Sequence, residues 1–91
     1  MDPMGNLTAI KHKKWRYWDD SGYLEEERTY NKGKLDGWVT SYYPNGQKNE
    51  QGYFVNDKQD SIFRIWYNNG QINQVGEFEN DEPVGFWYMY Y

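Results

Sequence analysis

Residues 37–60 read GWVTSYYPNGQKNEQGYFVNDKQD and residues 61–84 read SIFRIWYNNGQINQVGEFENDEPV, so one pattern returns after 24 positions without a gap. The two copies share an Asn-Gly-Gln triplet, a Gly-x-Phe segment and an Asn-Asp pair at equivalent places. A degenerate copy occupies residues 13–36, and residues 85–91 begin a fourth. A fixed period of this length is the signature of a repeat architecture.

Each unit is predicted to be a pair of antiparallel strands, because short runs rich in aromatic and β-branched residues alternate with turn signals. Asn45-Gly46 is the strongest of these signals, since both residues tolerate positive φ in a hairpin turn. Residues 55–60 and 79–84 are predicted to reverse the chain between one unit and the next. The sequence therefore predicts an all-β antiparallel meander without a helix of useful length.

The aromatic residues are the main apolar material of this chain, with 10 Tyr, 5 Trp and 4 Phe among 91 residues. Equivalent side chains of stacked units should lie side by side in rows across the sheet. The predicted rows are Trp15, Val39, Phe63 and Trp87; Trp18, Tyr42, Trp66 and Tyr90; Tyr30, Phe54 and Phe78; and Lys14, Trp38, Ile62 and Phe86. Gly52 and Gly76 lie in mid-strand, where glycine is typical of close approach by a bulky group, and a ring from a neighbouring strand is the expected occupant.

The formal charge of −4 is unevenly distributed. Residues 1–18 carry a net charge of +3 and residues 19–91 a net charge of −7. An acidic body of this kind argues against direct binding of nucleic acid, which requires a basic surface. The absence of cysteine excludes disulfides and thiolate metal sites. No signal peptide or membrane-spanning run is recognised, so a cytoplasmic location is expected.

The repeats resemble a known family. The pattern Gly-Trp-x-x-x-Tyr-Tyr-x-Asn-Gly-Gln, followed by Gly-x-Phe-x-Asn-Asp and another Gly, resembles the MORN repeat, and more narrowly the bacterial variant of YwqK-type antitoxin-like proteins. The resemblance implies an elongated, twisted, mostly single-layer sheet of about seven strands, two per repeat. It divides the chain into a lead-in, residues 1–12, and a MORN-type repeat domain, residues 13–91, with units 13–36, 37–60, 61–84 and a partial unit 85–91.

The resemblance also implies a scaffold or binding module that supplies no catalytic residues, with bacterial members often described as antitoxin or immunity components. The first unit departs from the pattern, because Lys13 and Arg28 replace the glycines found at Gly37 and Gly52. It is therefore interpreted as a capping unit.

Enzyme chemistry has little support in the sequence. His12 is the only histidine, and it lies in the lead-in without an oriented partner. Asp57 with Asp60, and Asp81 with Glu82, could form paired carboxylates, but they recur in turn positions, where turn chemistry explains them better. Their spacing matches no calcium loop. No catalytic residue, metal or cofactor is predicted.

The strongest candidate for an interface is the segment GFWYMYY, residues 85–91, which has no charge. As the last strand of a meander it should present unpaired backbone groups, and it lacks the charge or proline that usually protects an edge. The alternative is that the sheet's own curvature or the lead-in covers it. The predicted partner-binding residues are aromatic anchors and acidic charge partners, namely Trp87, Tyr88, Tyr90, Tyr91, Glu77, Glu79, Asp81 and Glu82.

The leading hypothesis is a non-catalytic protein-interaction module. Its predicted role is a small stoichiometric inhibitor (an antitoxin, an immunity protein or a phage counter-defence protein) that occludes a toxin, nuclease or defence effector. A second hypothesis is a self-assembling scaffold, with a homodimer through the C-terminal strand. A third is a lipid-surface module that uses the basic residues Lys11, Lys13, Lys14 and Arg16, although so small a cluster makes a membrane partner a weak prediction.

Overall fold

The computed structural model describes residues 13–91 as seven antiparallel strands in one open sheet whose strand order follows the chain. The strands are β1 (Lys13–Trp18), β2 (Leu24–Asn31), β3 (Lys34–Tyr42), β4 (Lys48–Val55), β5 (Lys58–Trp66), β6 (Ile72–Glu79) and β7 (Glu82–Met89). The predicted all-β meander of hairpin repeats is confirmed. The predicted lead-in, with His12, lies outside the described residues, and the division into units stays a prediction.

The reversals between units are shorter than the sequence suggested. Asn56 and Asp57 have φ of 50° and 71°, and Asn80 and Asp81 have φ of 55° and 72°. Two successive central residues with positive φ are typical of a two-residue type I′ hairpin, whose twist matches that of the flanking strands. The predicted reversals over residues 55–60 and 79–84 were therefore too long, because their outer residues already belong to strands.

The turns inside the units are hairpins, as predicted, but with a different geometry. Of Asn45 and Gly46, only Gly46 has positive φ, at 89°, and its N–H donates to the Tyr43 carbonyl over 2.9 Å. The side chain of Asn45 holds the turn instead, since its Oδ1 accepts the Gln47 N–H at 2.9 Å. The next unit repeats this bond between Asn69 and Gln71.

Neighbouring units are tied together at both ends of the strands. Asp57 accepts the Leu35 N–H at 2.7 Å, and Asp81 accepts the Gln59 N–H at the same distance, one period later. At the opposite end, the Tyr43 hydroxyl donates to the Trp66 carbonyl over 2.6 Å. Asp57 and Asp81 therefore act through turn chemistry, the interpretation that the sequence favoured over paired carboxylates.

The two faces of the sheet differ in character. The register pairs Val39 with Gly52, Gly52 with Phe63, and Phe63 with Gly76. Cross-strand partners share a face. We call this the ring face, and its larger apolar side chains are Val39, Phe54, Phe63, Phe78 and Trp87. The opposite face, here the charged face, carries the row that begins with Arg16, Glu27 and Thr40.

The predicted rows are confirmed in part. On the ring face, Phe63, Phe78 and Trp87 contact one another. On the charged face, Tyr42 and Trp66 contact polar groups. Tyr42 donates to Glu27, and the Lys48 ammonium lies 5.8 Å from the centroid of the Trp66 ring.

No hydrophobic side chain among residues 13–91 is buried, because a single layer leaves each face open to solvent.

Candidate protein-interaction site

The edge strand β7 exposes large apolar side chains. Within residues 13–91 it pairs only with β6. Phe86 is 84% exposed, and Tyr88, Met89, Tyr90 and Tyr91 are exposed as well. Single exposed apolar side chains are ordinary, but a contiguous group is typical of an interaction surface.

Trp87 is the exception among the predicted anchors, because it lies on the ring face. Its ring occupies the space that a Cβ at residue 76 would take, which explains the glycine there. The ring centroid lies 5.2 Å from that of Phe78 and 6.0 Å from that of Phe63. The expected ring neighbour is confirmed at Gly76, and also at Gly52, where a Cβ would lie 3.3 Å from Phe63. Trp87 holds β7 against the sheet.

Three of the predicted acidic residues lie together on the charged face. The register places Glu77 opposite Val84 and Glu79 opposite Glu82. None of the three carboxylates forms an ion pair or hydrogen bond with another residue in the described part of the chain. Asp81 differs from them, since its carboxylate is occupied by the Gln59 N–H.

The structure therefore separates the predicted site residues. Trp87 packs on the ring face and the Asp81 carboxylate is occupied by the Gln59 N–H, whereas four others share one surface. Glu77, Glu79 and Glu82 share the charged face with Tyr88, as the cross-strand register and strand alternation require. We call these four residues, together with Phe86, the acidic–aromatic surface. Phe86 was not among the predicted site residues. The sequence feature that could have identified it is its position in the uncharged segment of residues 85–91.

Charge is concentrated at this end of the sheet. Residues 65–91 contain four acidic and no basic side chains, which equals the formal charge of −4 of the whole chain. The remaining residues are therefore balanced, with ten basic and ten acidic side chains. A field of one sign at one end favours encounter with a basic partner.

The opposite end of the sheet carries ion pairs between partly exposed side chains. Arg16 donates to Glu27 at 2.7 Å, and Glu27 also accepts the Tyr42 hydroxyl at 3.0 Å. Burial, and then the hydrogen bond to Glu27, raise the pKa of Tyr42. Arg28 donates to Glu26 at 2.8 Å, and this bond raises the pKa of Arg28.

The ring face has an open groove of about 320 Å³. Its lining includes the apolar residues Phe54 and Phe63 beside Gly52, and the acidic residues Glu26 and Glu50. Glu26 is paired with Arg28, which leaves Glu50 as the free carboxylate of the groove lining among the described residues. Residues 13–91 contain no cluster of three or more His, Asp or Glu side chains suited to a metal ion. The same residues include no helix with the length and apolar character of a membrane span.

Comparison with known families supports the repeat assignment. Residues 35–56 and 59–80 each match the MORN repeat variant. The resemblance is therefore confirmed for two adjacent repeats, and such repeats suggest a protein or lipid interaction module of a generally non-catalytic kind. No curated protein and no solved structure matches the chain.

Proposed function

We propose that this protein is a non-catalytic module that binds a basic surface on another protein. The observation that carries the proposal is the acidic–aromatic surface, where three carboxylates without a partner among residues 13–91 lie beside the exposed rings of Phe86 and Tyr88. Aromatic side chains provide contact area at low entropic cost, and the carboxylates steer a basic partner and select it. The MORN-type repeats support a binding role.

The more specific proposal is stoichiometric inhibition. The protein would act as an antitoxin, immunity protein or phage counter-defence protein, covering the groove of a toxin, nuclease or defence effector. Such grooves are lined with Lys and Arg when they bind phosphates. A rigid sheet whose net negative charge lies at one end is complementary to them.

The first test is capture of the partner with tagged full-length protein from the native host lysate, identified by mass spectrometry. We expect one basic effector in near-equal amount, inhibited in its own assay by added protein. The variant Glu77→Lys with Glu79→Lys should reduce recovery roughly tenfold or more, because like charges then face each other. Its control is Asp20→Lys with Glu25→Lys, the same change of charge at exposed positions near β1.

Equal recovery by both double variants would exclude the acidic–aromatic surface as the site. Recovery without inhibition would leave a binding module and exclude the inhibitor. Binding to anionic vesicles at low salt, with release at high salt, would instead indicate a lipid-surface module. The structure gives that outcome little support, since Arg16 is paired with Glu27 and leaves Lys13 and Lys14 as the free cations of β1 among the described residues.

A further inference from the structure

We propose that β7 pairs antiparallel with β7 of a second copy of this chain, through residues 85–91 and about a two-fold axis. The inference is independent of the proposed function, because it follows from the backbone and charge of the edge strand. Its product is one continuous sheet of two chains.

Among residues 13–91, the outer backbone groups of β7 have no hydrogen-bond partner and can bind a further strand. The Tyr90 N–H donates to the Asn73 carbonyl over 2.7 Å, so Tyr90 points its backbone toward β6. Backbone direction alternates along a strand, and the groups of Trp87, Met89 and Tyr91 therefore point away from β6. Tyr67, one period before Tyr91, uses its N–H in that outward direction, toward the following strand.

The absence of charge allows β7 to pair with a copy of itself, whereas the charge of β1 disfavours its self-pairing. Residues 85–91 include no charged side chain, so their self-pairing brings no like charges together. Self-pairing of β1 would bring the basic side chains of Lys13, Lys14 and Arg16 toward their own copies, which is destabilising. Lysine on an edge strand is a common protection against such pairing.

Pro83 limits how a further strand can approach. At the equivalent places in β3 and β5, the N–H groups of Leu35 and Gln59 bind an aspartate of the next unit at 2.7 Å. Pro83 has no N–H. A further unit therefore cannot dock here as units dock within the chain, and pairing is confined to residues 85–91, which begin at the bulge residue Gly85 with its φ of 68°.

These limits specify the register. Outward-pointing residues must lie opposite each other, and the register that uses the whole of residues 85–91 places Tyr88 opposite Tyr88 of the second copy. Trp87 then lies opposite Met89, and Phe86 opposite Tyr90. Because Tyr88 points its backbone toward β6, it forms a non-hydrogen-bonded pair, in which the side chains are closest. The axis is perpendicular to the sheet, so both acidic–aromatic surfaces lie on the same side.

The first measurement is the mass of the full chain in solution as a function of concentration. A contact between two strands buries less than the roughly 1,200–2,000 Å² of stable interfaces, so we expect dissociation in the micromolar range. The 11.1 kDa chain should be single when dilute and doubled when concentrated. A single-chain mass up to millimolar concentration would overturn the proposal and leave the edge to a different partner.

Charge exchange at residue 88 tests the register. Tyr88→Lys and Tyr88→Glu should each remain single, since like charges would lie directly opposite, whereas an equimolar mixture should form a one-to-one dimer. Tyr23→Lys is the control, because Tyr23 is 54% exposed, close to the 56% of Tyr88, and lies beside β1. Dimers of either variant alone, or a mixture that stays single, would overturn the register.

Met89→Pro tests the backbone bonds without a change of charge. It removes an outward N–H and should abolish the dimer while the circular dichroism stays that of the native sheet. Tyr90→Pro is its counterpart, because it removes the bond to Asn73 and should loosen β7 itself. A dimer that survives both Met89→Pro and Tyr88→Lys would place the interface elsewhere, for example between two ring faces, and would overturn the proposal.

Discussion

β1 and β7 are both edge strands, and they occupy the same place in the repeat, three periods apart. They nevertheless differ in charge at three equivalent positions. The basic residues of β1 are Lys13, Lys14 and Arg16, and their equivalents in β7 are Gly85, Phe86 and Tyr88. The repeat thus maintains the same strand at both ends, while substitution within it protects one edge with charge and leaves the other without that protection.

The two edges also differ in how their equivalent tryptophan rings pack, because each ring needs a glycine on the preceding strand to pack against. Trp15 and Trp87 are equivalent residues, but Trp87 packs over Gly76 of the preceding strand, whereas β1 is the first described strand and Trp15 is 54% exposed. Trp15 lies opposite Arg28, where later units have a glycine. The same residue therefore stabilises one end of the sheet and not the other.

The largest effect that we predict concerns this pair of tryptophans. Trp87→Ala should lower the free energy of unfolding by about 3 kcal/mol, because it removes the ring contacts with Phe63 and Phe78 and leaves a gap over Gly76. Trp15→Ala should cost less than about 1 kcal/mol, since much of that ring is already in water. Urea unfolding in dilute solution measures both. Equal losses would contradict the comparison.

A smaller effect concerns the bulge that β3, β5 and β7 form opposite the strand before each of them. It includes Gly37, Ser61 and Gly85, all with positive φ, whereas β1 has no preceding strand among residues 13–91. A serine at φ of 71° is strained, so Ser61→Gly should raise the free energy of unfolding by about 1 kcal/mol.

The reverse change is the matched control for Ser61. Gly37→Ser should destabilise the protein, since a Cβ there would also lie 3.0 Å from the Thr29 methyl carbon. Thermal unfolding of both variants gives the comparison. A lower melting temperature for Ser61→Gly would show that the serine is not under strain.

The smallest effect is expected at alkaline pH, at the end near β1. The pKa of Tyr42 is raised above 10.0 by burial and by the hydrogen bond to Glu27, so the folded state holds this proton more tightly than the unfolded state. The resulting stability is fully present below pH 10.0 and is lost as the pH rises through the folded-state pKa. The urea midpoint should therefore fall more steeply in the native protein than in Tyr42→Phe. Parallel pH curves would exclude this contribution.

The sequence by itself determined the strand meander and the reason for its glycines. The period of 24 residues and the turn signals specify local backbone geometry, which depends on near neighbours in the chain. A glycine in mid-strand is itself a sign of a bulky neighbour, so a ring could be predicted over Gly52 and Gly76 before the ring's identity was known. The lengths of the turns at Asn56 and Asn80 were missed, because a two-residue hairpin and a longer loop share the same residue types.

Only the tertiary structure decided which side chains act together. Trp87 and Tyr88 are adjacent in sequence, yet they lie on opposite faces, and only Tyr88 joins Glu77 and Glu79. A bulge in β7 changes the register opposite β6, and its position follows from cross-strand pairing that no local pattern specifies. The hydrogen bond from the Gln59 N–H to Asp81 likewise joins two units, and such a contact exists only once the sheet has formed.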